Sequence, residues 1–179
     1  KRAGDVIPQV IGPVPERRSG SEREWRMPSR CPICNTPVQR DADLAAIYCP
    51  NVACPGRQLE AIVYFASRGA MDIRGLSYAR IEQLLDADLV HDVADLYTLG
   101  VDDLLALDGY QKKSATSLIG AISASRSQPL SRLLTGLGIP HVGETAARLL
   151  ARHFGSLKTL SSASAEQIEA IRGLGDVIA

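Results

Sequence analysis

From about residue 57 onward, apolar side chains recur every three or four positions in nine short stretches: 59–68, 79–89, 93–99, 102–108, 114–126, 130–137, 144–154, 156–164 and 165–172. Each is about one amphipathic helix long, and Gly-containing turns separate many of them. The pattern predicts a compact all-helical array over residues 57–179. Upstream it changes character. Residues 1–15 hold short β-like runs, Val6–Ile7 and Val10–Ile11, broken by Gly4, Pro8, Gly12, Pro13 and Pro15. They read as the last strands of a sheet that begins before residue 1, because a lone strand needs neighbours. Residues 16–30 are charged and aperiodic and read as a linker, with Trp25 as an anchor.

Within the helical half a unit repeats. IRGLSYARI surrounds Gly75, LDGYQKKSA surrounds Gly109, IPHVGETAA contains His141 and IRGLGDVIA contains Gly173, so the anchors are 34, 32 and 32 residues apart. Two residues before each anchor stands an aliphatic residue (Ile73, Leu107, Ile139, Ile171). A hydrophobic one follows it (Leu76, Tyr110, Val142, Leu174), and six residues on comes Ile81, Ala115, Ala147 or Ala179. This is h-x-G-h-G-x-x-x-A, a helix-hairpin-helix pattern. The first glycine permits a tight turn, the hydrophobic residue pins it to the core, and the second glycine opens the next helix with free N–H groups suited to a phosphate oxygen. Such contacts position a duplex without reading its bases. Only the fourth unit carries both glycines. Ser77 and Gln111 replace the second glycine in the first two units, and His141 replaces the first in the third, which keeps Gly143. The residues expected to touch DNA are therefore Gly109, Tyr110, Gln111, Lys112, Lys113, His141, Val142, Gly143, Gly173, Leu174 and Gly175. Arg132, Arg148 and Arg152 are further candidates for phosphate. The fourth unit's second helix stops one turn in, at Ala179, so the chain is expected to continue.

Composition sharpens this picture. Hydrophobic residues make up 45% and aromatics only 4%, which suits small Ala/Leu/Ile/Val helices. The formal net charge is zero, and its distribution is uneven: residues 1–40 and 111–179 each carry eight basic and four acidic side chains, whereas 41–110 carry four and twelve. A polycation that coats nucleic acid is excluded, so DNA contact should be local and geometric. The acidic middle (Asp86, Asp88, Asp92, Asp95, Asp102, Asp103) reads as a solvated surface, or alternatively as a face for a partner protein. No apolar run approaches the ~20 residues that cross a bilayer, and no signal peptide is visible, so a cytoplasmic protein is expected.

All four cysteines, Cys31, Cys34, Cys49 and Cys54, fall within one short segment as C-x2-C-x14-C-x4-C. A CxxC knuckle aims two thiolates at one ion, and a second pair some fifteen residues on closes a tetrahedron. Disulfides are disfavoured without a secretory signal, and a redox CxxC would leave Cys49 and Cys54 idle. A structural zinc is expected; four thiolates leave no open position for catalysis. His91, His141 and His153 lie elsewhere.

The order of these parts, KRAGDVIP, then WRMPSRCPIC, then YCPNVACPG, then four hairpins, resembles the bacterial NAD-dependent DNA ligases over essentially the whole chain. The resemblance implies the end of an oligonucleotide-binding barrel at 1–15, a linker at 16–30, a four-cysteine zinc finger at 31–56 and a helix-hairpin-helix domain at 57–179. It also implies that Arg2, Val6 and Ile7 sit on the barrel surface near the nick. The parent enzyme would seal 5′-phosphate/3′-hydroxyl nicks in replication and repair, through a lysine adenylylated from NAD and with magnesium. That lysine lies in a KxDG motif, which this sequence lacks, so no catalytic residue is assigned and neither NAD nor magnesium is expected here. The partners implied are nicked duplex DNA and the catalytic domain of the same polypeptide, in a monomeric, nucleoid-associated bacterial protein. A non-enzymatic hairpin module from a recombination or excision-repair protein is the alternative.

Overall fold

The computed structural model of the chain describes residues 2–3, 7–8, 10–40 and 46–179. Two-residue strands β1 (Arg2–Ala3) and β2 (Ile7–Pro8) pair antiparallel. The expected run at Val10–Ile11 is not a strand, and both side chains are exposed. Residues 10–30 lie open to solvent with one 3-10 turn, Pro15–Arg17, and Trp25 is 73% exposed rather than anchored. The cysteine segment holds a second antiparallel pair, β3 (Gln39–Arg40) and β4 (Ile47–Tyr48).

Eight helices follow: α1 (Pro55–Ala66), α2 (Tyr78–Asp86), α3 (Val101–Leu105), α4 (Lys112–Ser125), α5 (Leu130–Gly136), α6 (Glu144–Phe154), α7 (Leu157–Ser161) and α8 (Ala165–Glu169). The fold is mainly α, as the periodicity predicted. In two of the stretches where helix is shorter than expected, side chains have taken over backbone hydrogen bonds. The stretch 93–99 makes only a 3-10 turn, Asp95–Tyr97, because Asp92 Oδ1 accepts from the Ala94 and Asp95 amides while Asp95 Oδ2 accepts from those of His91 and Asp92. In α7 the hydroxyls of Ser161 and Ser162 donate back to the Lys158 carbonyl, where the helix ends. The acidic middle is thus partly used in capping: Asp103 Oδ2 accepts the Gly100 amide at the start of α3.

The helices bury two separate cores. Ile62, Phe65, Ile81, Leu84, Leu96, Leu104, Leu118 and Ile122 belong to one, built by α1–α4. Leu134, Val142, Ala147, Leu150 and Leu174 belong to the other, built by α5, α6 and the last hairpin. Each core therefore joins two hairpins, and α5 stands between them: Leu133 packs on the first core and Leu134 is buried in the second.

Candidate nucleic-acid interface and metal centre

The four hairpins share one turn. In each, the amide after the anchor donates to the carbonyl two residues before it: Leu76 to Ile73 (3.4 Å), Tyr110 to Leu107 (3.5 Å), Val142 to Ile139 (3.0 Å) and Leu174 to Ile171 (2.9 Å). The anchors have positive φ throughout, 89° at Gly75, 78° at Gly109, 65° at His141 and 98° at Gly173. A chain reversal with positive φ at its third residue is the type II turn, and Pro140 occupies the position before the anchor that this turn favours. His141 adopts the left-handed conformation although it carries a Cβ, which is costly outside glycine.

The hydrophobic residue after each anchor points inward. Leu76, Tyr110, Val142 and Leu174 are buried, as the pattern predicts. Any contact these four make with DNA would therefore come from their backbone. The next residue is exposed in all four units, and its carbonyl accepts the first helical bond four residues on: Ser77 from Ile81, Gln111 from Ala115, Gly143 from Ala147 and Gly175 from Ala179. The N-caps Ser77, Gln111 and Gly143 have φ of −78°, −123° and −77°. No left-handed geometry is required there, which is why serine and glutamine replace glycine freely.

The hairpins differ in charge. Lys112 and Lys113 are the first two residues of α4, exposed beside the positive end of the helix dipole, where basic side chains destabilise a helix. Glu144 begins α6, and Tyr78, the first residue of α2, donates its hydroxyl to Glu60 (3.3 Å). Gly109, Gln111, Lys113 and Ser114 line a pocket of about 380 Å³ with Arg80 from the first hairpin. Sequence reading missed Arg80. Its Nη1 donates to the Gly75 carbonyl (3.1 Å) while its guanidinium stacks 4.7 Å over the Tyr110 ring, tying the first turn to the second. The Tyr110 hydroxyl has no hydrogen-bond partner among the described residues, and burial raises its pKa against the smaller lowering effect of Arg80. Of the candidate arginines, Arg132 is spoken for: it is half-buried and donates to the Arg68 and Ala70 carbonyls. Arg148 pairs with Glu144 (3.4 Å), and Arg152 is exposed. Val6 lies outside the described residues, and of the residues expected near a nick only the strand backbone of Arg2 and Ile7 is described.

The four cysteine sulfurs converge, all within 4.8 Å of one another. Cys31 Sγ is 3.9 Å from Cys54 Sγ, and Cys34 Sγ is 3.5 Å from Cys49 Sγ. Zinc–sulfur bonds of about 2.3 Å in a tetrahedron require sulfurs about 3.8 Å apart, so the set comes onto a zinc ion with only small shifts of the side chains. The first knuckle closes because Asn35, at φ 57°, reverses the chain and donates its amide to the Cys31 carbonyl (2.9 Å). In the second, Asn51 Oδ1 accepts the Ala53 amide (3.0 Å). A hydrogen bond from the Thr36 side chain is the main reason the Cys34 thiol is held down to about 5, whereas burial pushes Cys49 up to about 12. A cation bound between them replaces the proton they would otherwise compete for. Cys54 is also the N-cap of α1, accepting the Arg57 and Gln58 amides (2.9 and 3.0 Å), while Arg57 Nη1 donates to the Cys49 carbonyl (3.1 Å). The knot and the first helix are therefore one continuous piece, and α1 crosses the boundary expected after residue 56.

A four-thiolate metal knot that caps the first helix of a tandem hairpin array defines a zinc-bearing helix-hairpin-helix module. Residues 30–55 match the NAD-dependent DNA ligase C4 zinc finger domain, 68–123 a SAM-like helix-hairpin-helix tandem and 132–179 a helix-hairpin-helix motif. Together these matches and the relatives below make the chain similar to the zinc-finger and hairpin region of NAD-dependent DNA ligases. It is 63% identical over 178 residues to a DNA ligase of Gemmatimonas aurantiaca, covering 99% of this chain and 26% of that protein. It is 48% identical over 180 residues to a DNA ligase of a Roseiflexus species, covering all of this chain and 25% of that one. A DNA ligase of Rubrobacter xylanophilus is also 48% identical, over 179 residues, all of this chain and 26% of that protein. The chain thus spans about a quarter of the length of these relatives.

Proposed function

We propose that this chain is the duplex-binding part of an NAD-dependent DNA ligase, holding nicked DNA while the rest of the polypeptide seals it. The observation that carries this reading is the geometry common to the hairpins: four positive-φ turns, each pinned by a buried residue and each leaving an exposed residue ahead of free amides. Such a surface offers hydrogen-bond donors to phosphate oxygens at repeated intervals and nothing that reads a base. The second hairpin is the principal contact, since Gly109, Gln111, Lys112 and Lys113 put two cations at the start of a fourteen-residue helix. Gly173 and Gly175 present bare backbone, and His141 with Gly143 contributes less because Glu144 faces the same anion. Arg2, Val6 and Ile7 belong, on this reading, to an oligonucleotide-binding barrel that flanks the nick, with the linker at 16–30 joining it to the zinc finger. The zinc supplies a rigid corner from which α1 and the array depart.

In the parent enzyme a lysine elsewhere in the polypeptide takes AMP from NAD with magnesium, AMP passes to the 5′-phosphate, and the 3′-hydroxyl displaces it. The protein works in the bacterial cytoplasm, at the nucleoid, as a monomer. Among the described residues no helix is long and apolar enough to cross a membrane. Fluorescence anisotropy of the zinc-loaded chain with nicked, intact and single-stranded DNA across a salt series tests the binding claim. Salt-sensitive, sequence-independent duplex binding is expected, with preference for the nick favouring a ligase over a repair or recombination module. Failure to bind duplex at low salt would overturn the reading.

A further inference from the structure

The two hairpin pairs have separate cores, so their relative orientation depends on what crosses the seam at α5. Three kinds of contact do. Leu133 packs on the first core, and Gly136 brings the helix backbone so close that an added Cβ would lie 3.1 Å from Phe65 Cδ2 and 3.2 Å from Ala70 Cβ. Gln128 Nε2 reaches the Met71 carbonyl at 3.4 Å. Arg132 is the strongest: one guanidinium, half-buried, donates through Nε to the Ala70 carbonyl and through Nη2 to that of Arg68, 62 and 64 residues away in the chain. Apolar contact can slide, whereas a planar fork bonded to two carbonyls through separate nitrogens fixes a direction.

We propose that Arg132 is a positioning residue that locks the angle between the first and second hairpin pairs, so that all four turns meet one duplex together. The proposal builds on the duplex-binding reading but makes a separate claim, that Arg132 acts on protein carbonyls and not on phosphate. It predicts that lysine, which keeps the charge but not the fork, fails as badly as alanine.

The test uses the zinc-loaded 179-residue chain, its Arg132→Ala and its Arg132→Lys variants. Spin labels are carried by azide-bearing residues at Ser123 on α4 and Arg152 on α6, both exposed, so that the zinc thiolates stay untouched. The distance distribution should be narrow in the parent chain and broad in both variants, with zinc content and helical signal unchanged. Duplex affinity should fall roughly tenfold in both variants, since two loosely linked sites lose effective concentration. The salt slope should stay the same, because no phosphate contact is lost. A narrow distribution in the variants, or a slope reduced by about one, would overturn the proposal. If the parent chain binds no duplex, the functional reading fails and the distance measurement still decides whether Arg132 is the lock.

Discussion

At the residue scale, the two glycine positions of the repeat obey different physics. Gly109 has φ 78° and an added Cβ there would meet nothing within 4 Å among the described residues, so the cost of Gly109→Ala is conformational, about 1 kcal/mol. Gly143 has an ordinary φ of −77° and equally open surroundings, so Gly143→Ala should leave stability unchanged within about 0.5 kcal/mol. Urea denaturation of the two variants side by side checks the contrast, and equal losses would contradict it. A second residue-scale expectation concerns His91, whose Nε2 lies 2.8 Å from Asp88 Oδ1 and whose Nδ1 lies 3.4 Å from Asp95 Oδ2. The hydrogen bond to Asp88, more than the contact with Asp95, raises its pKa. A raised folded-state value means the stabilisation is complete below the unfolded value of about 6.5 and is lost as pH rises through the folded value. Urea midpoints should therefore fall as pH rises above about 6.5, and His91→Gln should flatten that part of the profile.

At the scale of elements, the zinc knot and α1 form a unit because Cys54 is both a sulfur donor and an N-cap. A thiolate at that place also complements the helix dipole. Chelating the metal should therefore do more than loosen residues 31–54. Hydrogen exchange is expected to show lost protection in the first turn of α1, at Arg57 and Gln58, while α4 and α6 stay protected by their own cores. Protection retained at Arg57 and Gln58 after metal removal would show that the helix starts without the knot. Helix length was the feature least legible in the sequence. The periodicity of 93–99 and 156–164 is helical, yet Asp92, Asp95, Ser161 and Ser162 bond to the local backbone and end or prevent the helix. Period records which face is buried; it does not record how a short polar side chain competes for an amide.

At the scale of the molecule, zero net charge and a uniform backbone geometry make local charge decide which hairpin carries affinity. Lys112 and Lys113 stand where the helix dipole disfavours them, so replacing both with alanine should not lower stability and should raise it by a few tenths of a kcal/mol. The same double variant should reduce the slope of log K against log salt by about 1.8, the share of two phosphates. Anisotropy over a salt series measures the slope, and an unchanged value would move the principal contact to another hairpin.

What the sequence determined by itself is what lies within a few residues. The metal ligands follow from cysteine spacing, the turns from h-x-G-h, and the buried pins at Leu76, Tyr110, Val142 and Leu174 from their register with the anchors. Even the variable second glycine was legible as a substitution, although only the φ values explain why it is tolerated. The tertiary structure alone decided the rest. Arg132 looked like one more cation on a helix face, and its partners are carbonyls more than sixty residues away. Arg80 binds one hairpin to the next through a turn carbonyl and an aromatic ring, contacts that no local pattern encodes. His141 shows the boundary between the two: the repeat assigns it to a glycine position, and the fold, by burying Val142 and closing the turn at Ile139, holds it in a conformation its own chemistry disfavours.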